Sequence, residues 1–428
     1  MSGIIIISLL FFILILLGIP IAFSLGIAGF VGFILTGDPL DLYIQRMFNG
    51  INSFSLVAIP LFILAGELMG GSGILMRLLN LAKLIVGRIK GGLLYVTTIV
   101  TMMFGGVNGS AVADASAVGS MLIPAMKKEY NDPDLAAAIT AAGSIVGPII
   151  PPSLPMLIYA FSASNVSVAG LFLAGVIPGI LLAIGMLIVT YFITKKRDFP
   201  IEGKKYTSKE VTKILRGAVV AIILPIIMVL GIVAGIVTPT EAGVVGVLYA
   251  LFAGFFLTKE LDFKMLIKAL ERTVMVTVIV MILISVGNTL TWWMTVQGLP
   301  NTISNVLQNI TSSPTVFLLL MFVIYIIVGL FIEQSAAIIM FVPVFAPLAA
   351  TYGIDPIHFG LFTTLVLALG LITPPVGICL FITSSIAKIP IERGFRASLP
   401  YMLSVTIVIL LVTLIPEIYM WLPNMFGF

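Results

Sequence analysis

Two strings decide how this chain folds: Gly147-Pro-Ile-Ile-Pro-Pro-Ser153 and, 223 residues further on, Gly370-Leu-Ile-Thr-Pro-Pro375. The first interrupts a helical run starting near Asp134, the second one starting near Pro356. Proline lacks an amide hydrogen and its ring clashes with the carbonyl four residues back, so each run is broken there. Unpaired carbonyls at bilayer depth are tolerated only where they face protein or a wet cavity. In such a place they suit sodium, a hard cation that prefers oxygen, while the amino end of a half-helix attracts a carboxylate. One proline kink is commonly a packing feature. Two at matched positions, each beside a Gly/Ser/Asn-rich tip, point to a site.

The match is wider than the two strings. At the same offset Gly106 meets Gly329, Pro124 meets Pro347, Asp132-Pro133 meets Asp355-Pro356, and Thr140 meets Thr363. These are mostly residues that punctuate backbone rather than fill cores. Charge then sets the relative sense of the two halves. Arg77–Lys90 carries Arg77, Lys83, Arg88 and Lys90, while its counterpart, roughly Gln297–Ser313, is uncharged. Lys127 and Lys128 follow the first hairpin; Thr351 and Tyr352 follow the second. Ser164–Ala169 is bare where the second half has Lys388, Arg393 and Arg396. Basic residues mark the cytoplasmic side, so this alternation is expected of repeats inserted in opposite senses. The linker Lys195–Arg216, with Lys195, Lys196, Arg197, Lys204, Lys205, Lys209, Lys213 and Arg216, is placed in the cytoplasm.

Composition excludes a soluble protein. Of 428 residues, 60% are hydrophobic and 9% charged, against roughly a quarter charged in soluble domains. Continuous apolar runs such as Ile4–Leu35, Ala169–Ile193 and Ser398–Met420 fit membrane helices and not the short alternating strands of a barrel. No basic residue precedes the first run and no small-residue cleavage site follows it, so it is not read as a signal peptide. The lone Cys379 and lone His358 argue against a disulfide framework or a metal cluster. Between Lys90 and Lys127 lie 36 residues, interrupted by Phe104-Gly-Gly-Val-Asn-Gly-Ser110. Arms of about 14–16 residues reach roughly 21–24 Å against a core of about 30 Å, so a re-entrant hairpin is expected. The second hairpin is expected from about Pro314 to Ala350, turning near Gly329–Ser335.

The predicted fold class is all-α: a polytopic membrane protein of about ten spanning helices plus two re-entrant hairpins and two broken helices, in inverted repeats. The expected segments are scaffold helices and an amphipathic arm (1–90), first hairpin and broken helix (91–168), helix and linker (169–216), second scaffold and arm (217–313), second hairpin and broken helix (314–390), and a C-terminal helix (391–428). Symmetry with Ala218–Leu257, which turns at Thr238–Thr240, favours two short helices in Ile4–Leu35, turning at Gly18–Pro20 and putting the N-terminus outside.

Gly18-Ile-Pro-Ile-Ala-Phe23, Ile59-Pro-Leu-Phe-Ile-Leu-Ala-Gly66, Gly109-Ser-Ala-Val-Ala-Asp114, Ile149-Ile-Pro-Pro-Ser153 and Gly235-Ile-Val-Thr-Pro-Thr-Glu-Ala242 resemble the large membrane subunit of tripartite ATP-independent periplasmic (TRAP) transporters over nearly the whole chain. The resemblance implies an elevator-type, sodium-driven importer of an organic anion, of the sialic acid or C4-dicarboxylate class, in the bacterial inner membrane. It implies two partners, a small four-helix membrane subunit on a separate chain and a periplasmic substrate-binding protein. By position it puts one sodium (Na+) site at Gly105, Asn108, Gly147, Ile150 and Pro152. The second falls at Gly329, Gly370 and Thr373, with Gly170. Substrate is expected near Ser110, Ser153, Glu333, Ser335 and Thr373.

Single residues divide between site and scaffold. Asp114 and Glu333 are ionisable groups in hairpins, where function is common, although Asp114 also suits a local cap or pair. Glu67 reads as an interface residue or ion-pair partner, Glu241 as a helix-start cap, and Trp292 and Trp293 as interface anchors. His358, two residues after Pro356, reads as a helix-start residue. A stand-alone sodium–anion symporter and an ion channel are the rival readings. An enzyme would need a nucleophile, base or metal constellation that these residues do not supply.

Overall fold

The computed structural model describes residues 2–163, 166–201 and 206–428. Among these, every regular element is a helix. Ser164 of the first uncharged stretch and Lys204 and Lys205 of the linker lie outside the described residues.

The first half runs α1 (Ser2–Leu16), α2 (Ile21–Thr36), α3 (Leu40–Ile51), α4 (Ala58–Gly71) and α5 (Ile74–Val86). Then come a helical hairpin, α6 (Gly92–Asn108) and α7 (Ala111–Tyr130), a broken helix, α8 (Pro133–Ser144) and α9 (Leu154–Ser162), and the long α10 (Val168–Lys196). The second half repeats the plan: α11 (Ser208–Val233), α12 (Pro239–Phe252), α13 (Phe263–Val296) and α14 (Leu299–Ile310), then the hairpin α15 (Pro314–Phe331) and α16 (Gln334–Thr351). Its broken helix is α17 (Pro356–Gly370) and α18 (Ile378–Ala387), followed by α19 (Ile391–Leu414) and α20 (Glu417–Met425).

Each turn has a local cause. Ile4–Leu35 is two helices, because Gly18 takes φ +81° ahead of Pro20, a conformation only glycine adopts without cost. At the start of α12 the Thr238 amide donates to Glu241 Oε2 (2.8 Å) and the Glu241 amide to Thr238 Oγ1 (3.3 Å), a reciprocal cap. Asp355 caps α17, accepting from the amides of Ile357 (2.8 Å) and His358 (3.1 Å). His358 is therefore a helix-start residue, with its ring on the Tyr419 hydroxyl.

Three expectations are corrected. Trp293 is not an interface anchor. It is fully buried, its indole donates to Thr36 Oγ1 (3.1 Å), and its ring lies over Gly32. The side-chain-free Gly32 lets α2 and α13 close on each other. Trp292 packs beneath the Arg46 guanidinium, 4.5 Å from the ring centre. The arms of the first hairpin have 17 and 20 residues, longer than expected, because the turn is confined to Gly109–Ser110 and α7 continues past its lysines. The C-terminal segment holds two helices, separated at Ile415–Pro416.

Among the described residues, eight helices are long and apolar enough to cross a membrane, by length and composition alone, and both arms of the second hairpin are among them. Two bodies of packed helices emerge. In one, α13 packs on α2, α3 and α4, and α12 on α4 and α11. In the other, each hairpin grips the distal half of the opposite broken helix, α7 on α18 and α16 on α9. α10 and α19 pack on this second body through α17 and α8.

Charge gathers at one end of the molecule. Arg77 pairs with Glu260 (3.3 Å), Lys90 with Asp198 (3.1 Å), Arg393 with Asp134 (2.9 Å) and Arg197 with Asp132. Lys127 Nζ donates to the Ala387 carbonyl (3.1 Å) beside them. Arg77–Glu260, Arg393–Asp134 and the Lys127 contact join the two halves, and the other two pairs tie the start of the linker to the first half.

Candidate functional site

The tip of the first hairpin is fixed by its own polar side chains. Asn108 ends α6, its amide donating to Asp114 Oδ1 (2.6 Å) and its Oδ1 accepting from the Ser110 amide (2.8 Å). Ser110 caps α7, accepting from the Ala113 amide (3.4 Å). Gly109, at φ +63°, lets the tip sit on the start of α9, where a methyl group would lie 2.8 Å from the Pro152 carbonyl and 3.1 Å from the Leu154 amide. Ser153 caps α9, accepting from the Met156 amide (3.2 Å) and donating to the Pro148 carbonyl. Two helix amino ends, each with a serine hydroxyl, therefore converge. Such ends carry partial positive charge and offer amides to an anion.

Behind this tip α6 lies against the break itself. A methyl group on Gly105 would overlap the Gly147 backbone, and one on Gly147 would overlap Asp114 Oδ2. Asp114 is fully buried, and Oδ2 has no hydrogen-bond partner among the described residues. The carbonyls of Gly147, Ile150 and Pro152 accept no backbone hydrogen bond among the described residues. A buried carboxylate oxygen and several open carbonyls at one place are a donor set that fits a hard monovalent cation.

The second half repeats the contact with different chemistry. A methyl group on Gly370 would overlap the Gly329 carbonyl, so hairpin and break again touch through paired glycines. The Val376 amide donates to the Leu330 carbonyl (3.4 Å), and Thr373 Oγ1 to the Leu369 carbonyl (2.7 Å). The carbonyls of Gly329 and Thr373 accept no backbone hydrogen bond among the described residues. At the position matching Asp114 stands Ala337, and at that matching Ser110 stands Glu333. Glu333 caps α16, accepting from the amides of Ser335 (2.8 Å) and Ala336 (3.1 Å) and from the Ser335 hydroxyl (3.1 Å). Gln334 tethers the tip to α17 by donating to the Thr364 carbonyl (2.9 Å).

The family described as "Tripartite ATP-independent periplasmic transporter, DctM component" matches residues 8–418. The chain belongs to this TRAP large-permease family. It is similar to the sialic acid TRAP transporter large permease protein SiaM of Vibrio cholerae, at 37% identity over 96% of each chain. The C4-dicarboxylate TRAP transporter large permease protein DctM of Pseudomonas aeruginosa is 34% identical over 94% of each. The isethionate TRAP transporter permease protein DctMQ of Oleidesulfovibrio alaskensis is 35% identical, covering 96% of this chain and 65% of the relative. In fold the permease resembles the Alcanivorax borkumensis YdaH transporter, at TM-score 0.60 and 16% identity over 90% of both chains. The Neisseria gonorrhoeae efflux pump MtrF gives TM-score 0.60 at 15% identity, over 88% of this chain and 83% of the other. Membership makes the chain a component of a membrane transporter and not an enzyme.

Of the positions expected at the first site, the permease gathers Gly105, Asn108, Gly147, Ile150 and Pro152, with Ser110 and Ser153 at the helix ends beside them. Gly329, Gly370 and Thr373 gather at the second. Gly170 does not join them. It packs on Ile357 and Phe428, and Ile357 is separated from Gly370 by most of α17, about 20 Å of helix. The α10 glycines that touch a break are Gly175 and Gly179, against Ile149 and Ile150 of the first. Reading along the sequence misplaced that contact because α10 crosses the first break, not the second. Glu333 and Ser335 are committed to each other, and a carboxylate at that helix end disfavours an anion. Two residues outside the expected set pack at the same place: Asp114, with its unpartnered oxygen, and Gly66 of α4, where a methyl group would lie 3.1 Å from Asn108 Cα. Glu67, next to Gly66, pairs with Arg272 at 3.5 Å, as its ion-pair reading anticipated.

Proposed function

We propose that this permease imports a small organic anion together with sodium, acting in the bacterial inner membrane with a small membrane subunit and a periplasmic binding protein. The observation that carries the reading is the duplicated contact of Gly105 with Gly147 and Gly329 with Gly370. In each, hairpin backbone meets a helix break with open carbonyls. One sodium ion would be held by carbonyls of the first break together with Asn108 and Asp114, the other by carbonyls of Gly329 and Thr373. Sodium supplies positive charge that ties hairpin to break and offsets the charge of the co-transported anion. The anion would sit at the convergent amino ends of α7 and α9, against Ser110 and Ser153.

Relatives named for sialic acid, C4-dicarboxylate, isethionate and 2,3-diketo-L-gulonate all handle acids, which supports an anion; sialic acid or a C4-dicarboxylate is our expectation for the solute. The body built from interlocked hairpins and broken helices would travel against the α2–α4 and α11–α13 scaffold, as an elevator. The amphipathic α5 and α14 would link the two. Labelled sialic acid and succinate offered to proteoliposomes containing both membrane subunits, with and without the binding protein, test the assignment. Uptake that requires the binding protein supports it, and the better solute names the class. Uptake indifferent to the binding protein would instead make this a stand-alone symporter.

A further inference from the structure

A cavity of about 570 Å³ opens beside the first hairpin, reaching from Asn108 and Ser110 at its tip towards the basic end of the molecule. One wall is a face of α7 carrying Ser116 and Ser120, four residues apart and therefore aligned along the helix. Ser110 and Ser120 are ten residues apart, roughly 15 Å along α7. The facing walls are α4, through Glu67, Gly70 and Gly71, and α13, through Lys268 and Arg272. Two cations and one carboxylate line a passage that begins where the anion is proposed to bind.

The ionic contacts across this passage are unequal. Arg272 reaches Glu67 through a single 3.5 Å contact, and its side chain is 71% exposed. Such a pair is weak, because water screens it and no second hydrogen bond fixes it. Among the described residues Lys268 has no carboxylate partner. The cavity wall thus has one cation free and one held loosely, on side chains one helical turn apart.

We propose that Lys268 and Arg272 form a staging site for the carboxylate of the transported anion on its way from the hairpin tip to the basic end. Glu67 is the counter-ion that the solute displaces. The inference rests on the organic-anion reading above. Exchanging Glu67 for a solute carboxylate replaces one ion pair by another, so entry costs little and release is not slowed. The serines of α7 offer hydroxyls to the rest of a polar solute as it passes. The site assigns a task to Lys268 and Arg272 that neither sodium nor the hairpin tips need.

Three substitutions separate this site from a structural clamp, because the signs of their effects differ. Lys268→Gln and Arg272→Gln remove attraction for the anion, whereas Glu67→Gln removes its competitor. In purified complex of both membrane subunits, thermal stabilisation by succinate and by sialic acid is titrated for each variant. The half-saturating concentration should rise about three- to tenfold in Lys268→Gln and Arg272→Gln, the range of a partly hydrated ion pair, and fall in Glu67→Gln. Arg272→Lys should restore most of the loss. Sodium half-saturation should not move in any variant. Equal, same-direction effects of Glu67→Gln and Arg272→Gln would reveal a clamp and overturn the proposal, as would stabilisation of the wild type by neither solute. Binding read this way in detergent is independent of coupled uptake, so failure of the staging site and failure of the sodium-driven importer are told apart.

Discussion

At the residue scale the two halves of the permease share a frame but not a chemistry. Asp114 faces the gap between Gly105 and Gly147, and the matching residue of the second half is Ala337. Asp114→Asn should keep a hydrogen bond to Asn108 while removing the negative charge. The sodium concentration for half-maximal uptake should then rise by about tenfold or more, equivalent to at least ~1.4 kcal/mol of ion binding; an unchanged value would remove Asp114 from the first site. Glycine matters where backbones touch. Gly147→Ala should destabilise by roughly 1–3 kcal/mol, the usual cost of overpacking, visible as a lowered Tm in detergent. Gly70→Ala, with nothing within 4 Å of an added methyl group, should leave Tm unchanged or slightly raised, because alanine favours the helix. The repeat match singled out Gly106, Gly147, Gly329 and Gly370 because repeated Gly and Pro punctuate backbone; Gly105 came only from the family resemblance. Asp114 and Gly66 gave weaker signals, since a lone carboxylate and a lone glycine each have ordinary explanations until their neighbours are known.

At the element scale, breaks and tips could be read because proline and glycine act locally. Residues 145–153 and 371–377 lie between helices as their Pro-Pro strings dictate. The role of α10 was not legible, because Gly170 and Gly175 look alike until the helix that crosses them is known. Nor was the burial of Trp293, whose place depends on Gly32 of a helix far away in sequence. Capping separates the hairpins further: Ser110 leaves α7 open to an anion, whereas Glu333 closes α16. Ser153→Ala should cost about 1 kcal/mol of stability through the lost cap of α9 and weaken solute binding as well. Gln334→Ala removes the side-chain tether to the Thr364 carbonyl and should cost about 0.5–1.5 kcal/mol, the net worth of one hydrogen bond, read by thermal unfolding, without changing solute binding. A larger effect of Gln334→Ala on solute binding than on Tm would contradict this division of labour.

At the scale of the whole molecule, the charge pattern of the sequence points to inverted repeats, and Arg77, Lys90 and Arg393 of that pattern each pair with a carboxylate. Interlocking of the halves, α7 with α18 and α16 with α9, was not visible, because no local pattern records which helix a hairpin will grip. In a Cys379→Ser background, cysteine at Arg88 should be labelled only from the cytoplasm and cysteine at Gln308 only from the periplasm. Labelling of both from one side would deny the inversion. The central claim is that two repeat-related sites couple sodium to the anion. It is tested most directly by initial uptake rate against external sodium, in proteoliposomes holding both membrane subunits and supplied with binding protein. Two coupled sites predict a sigmoidal dependence with a Hill coefficient above one and approaching about two, the number of sites. Uptake that proceeds equally well without sodium would contradict it.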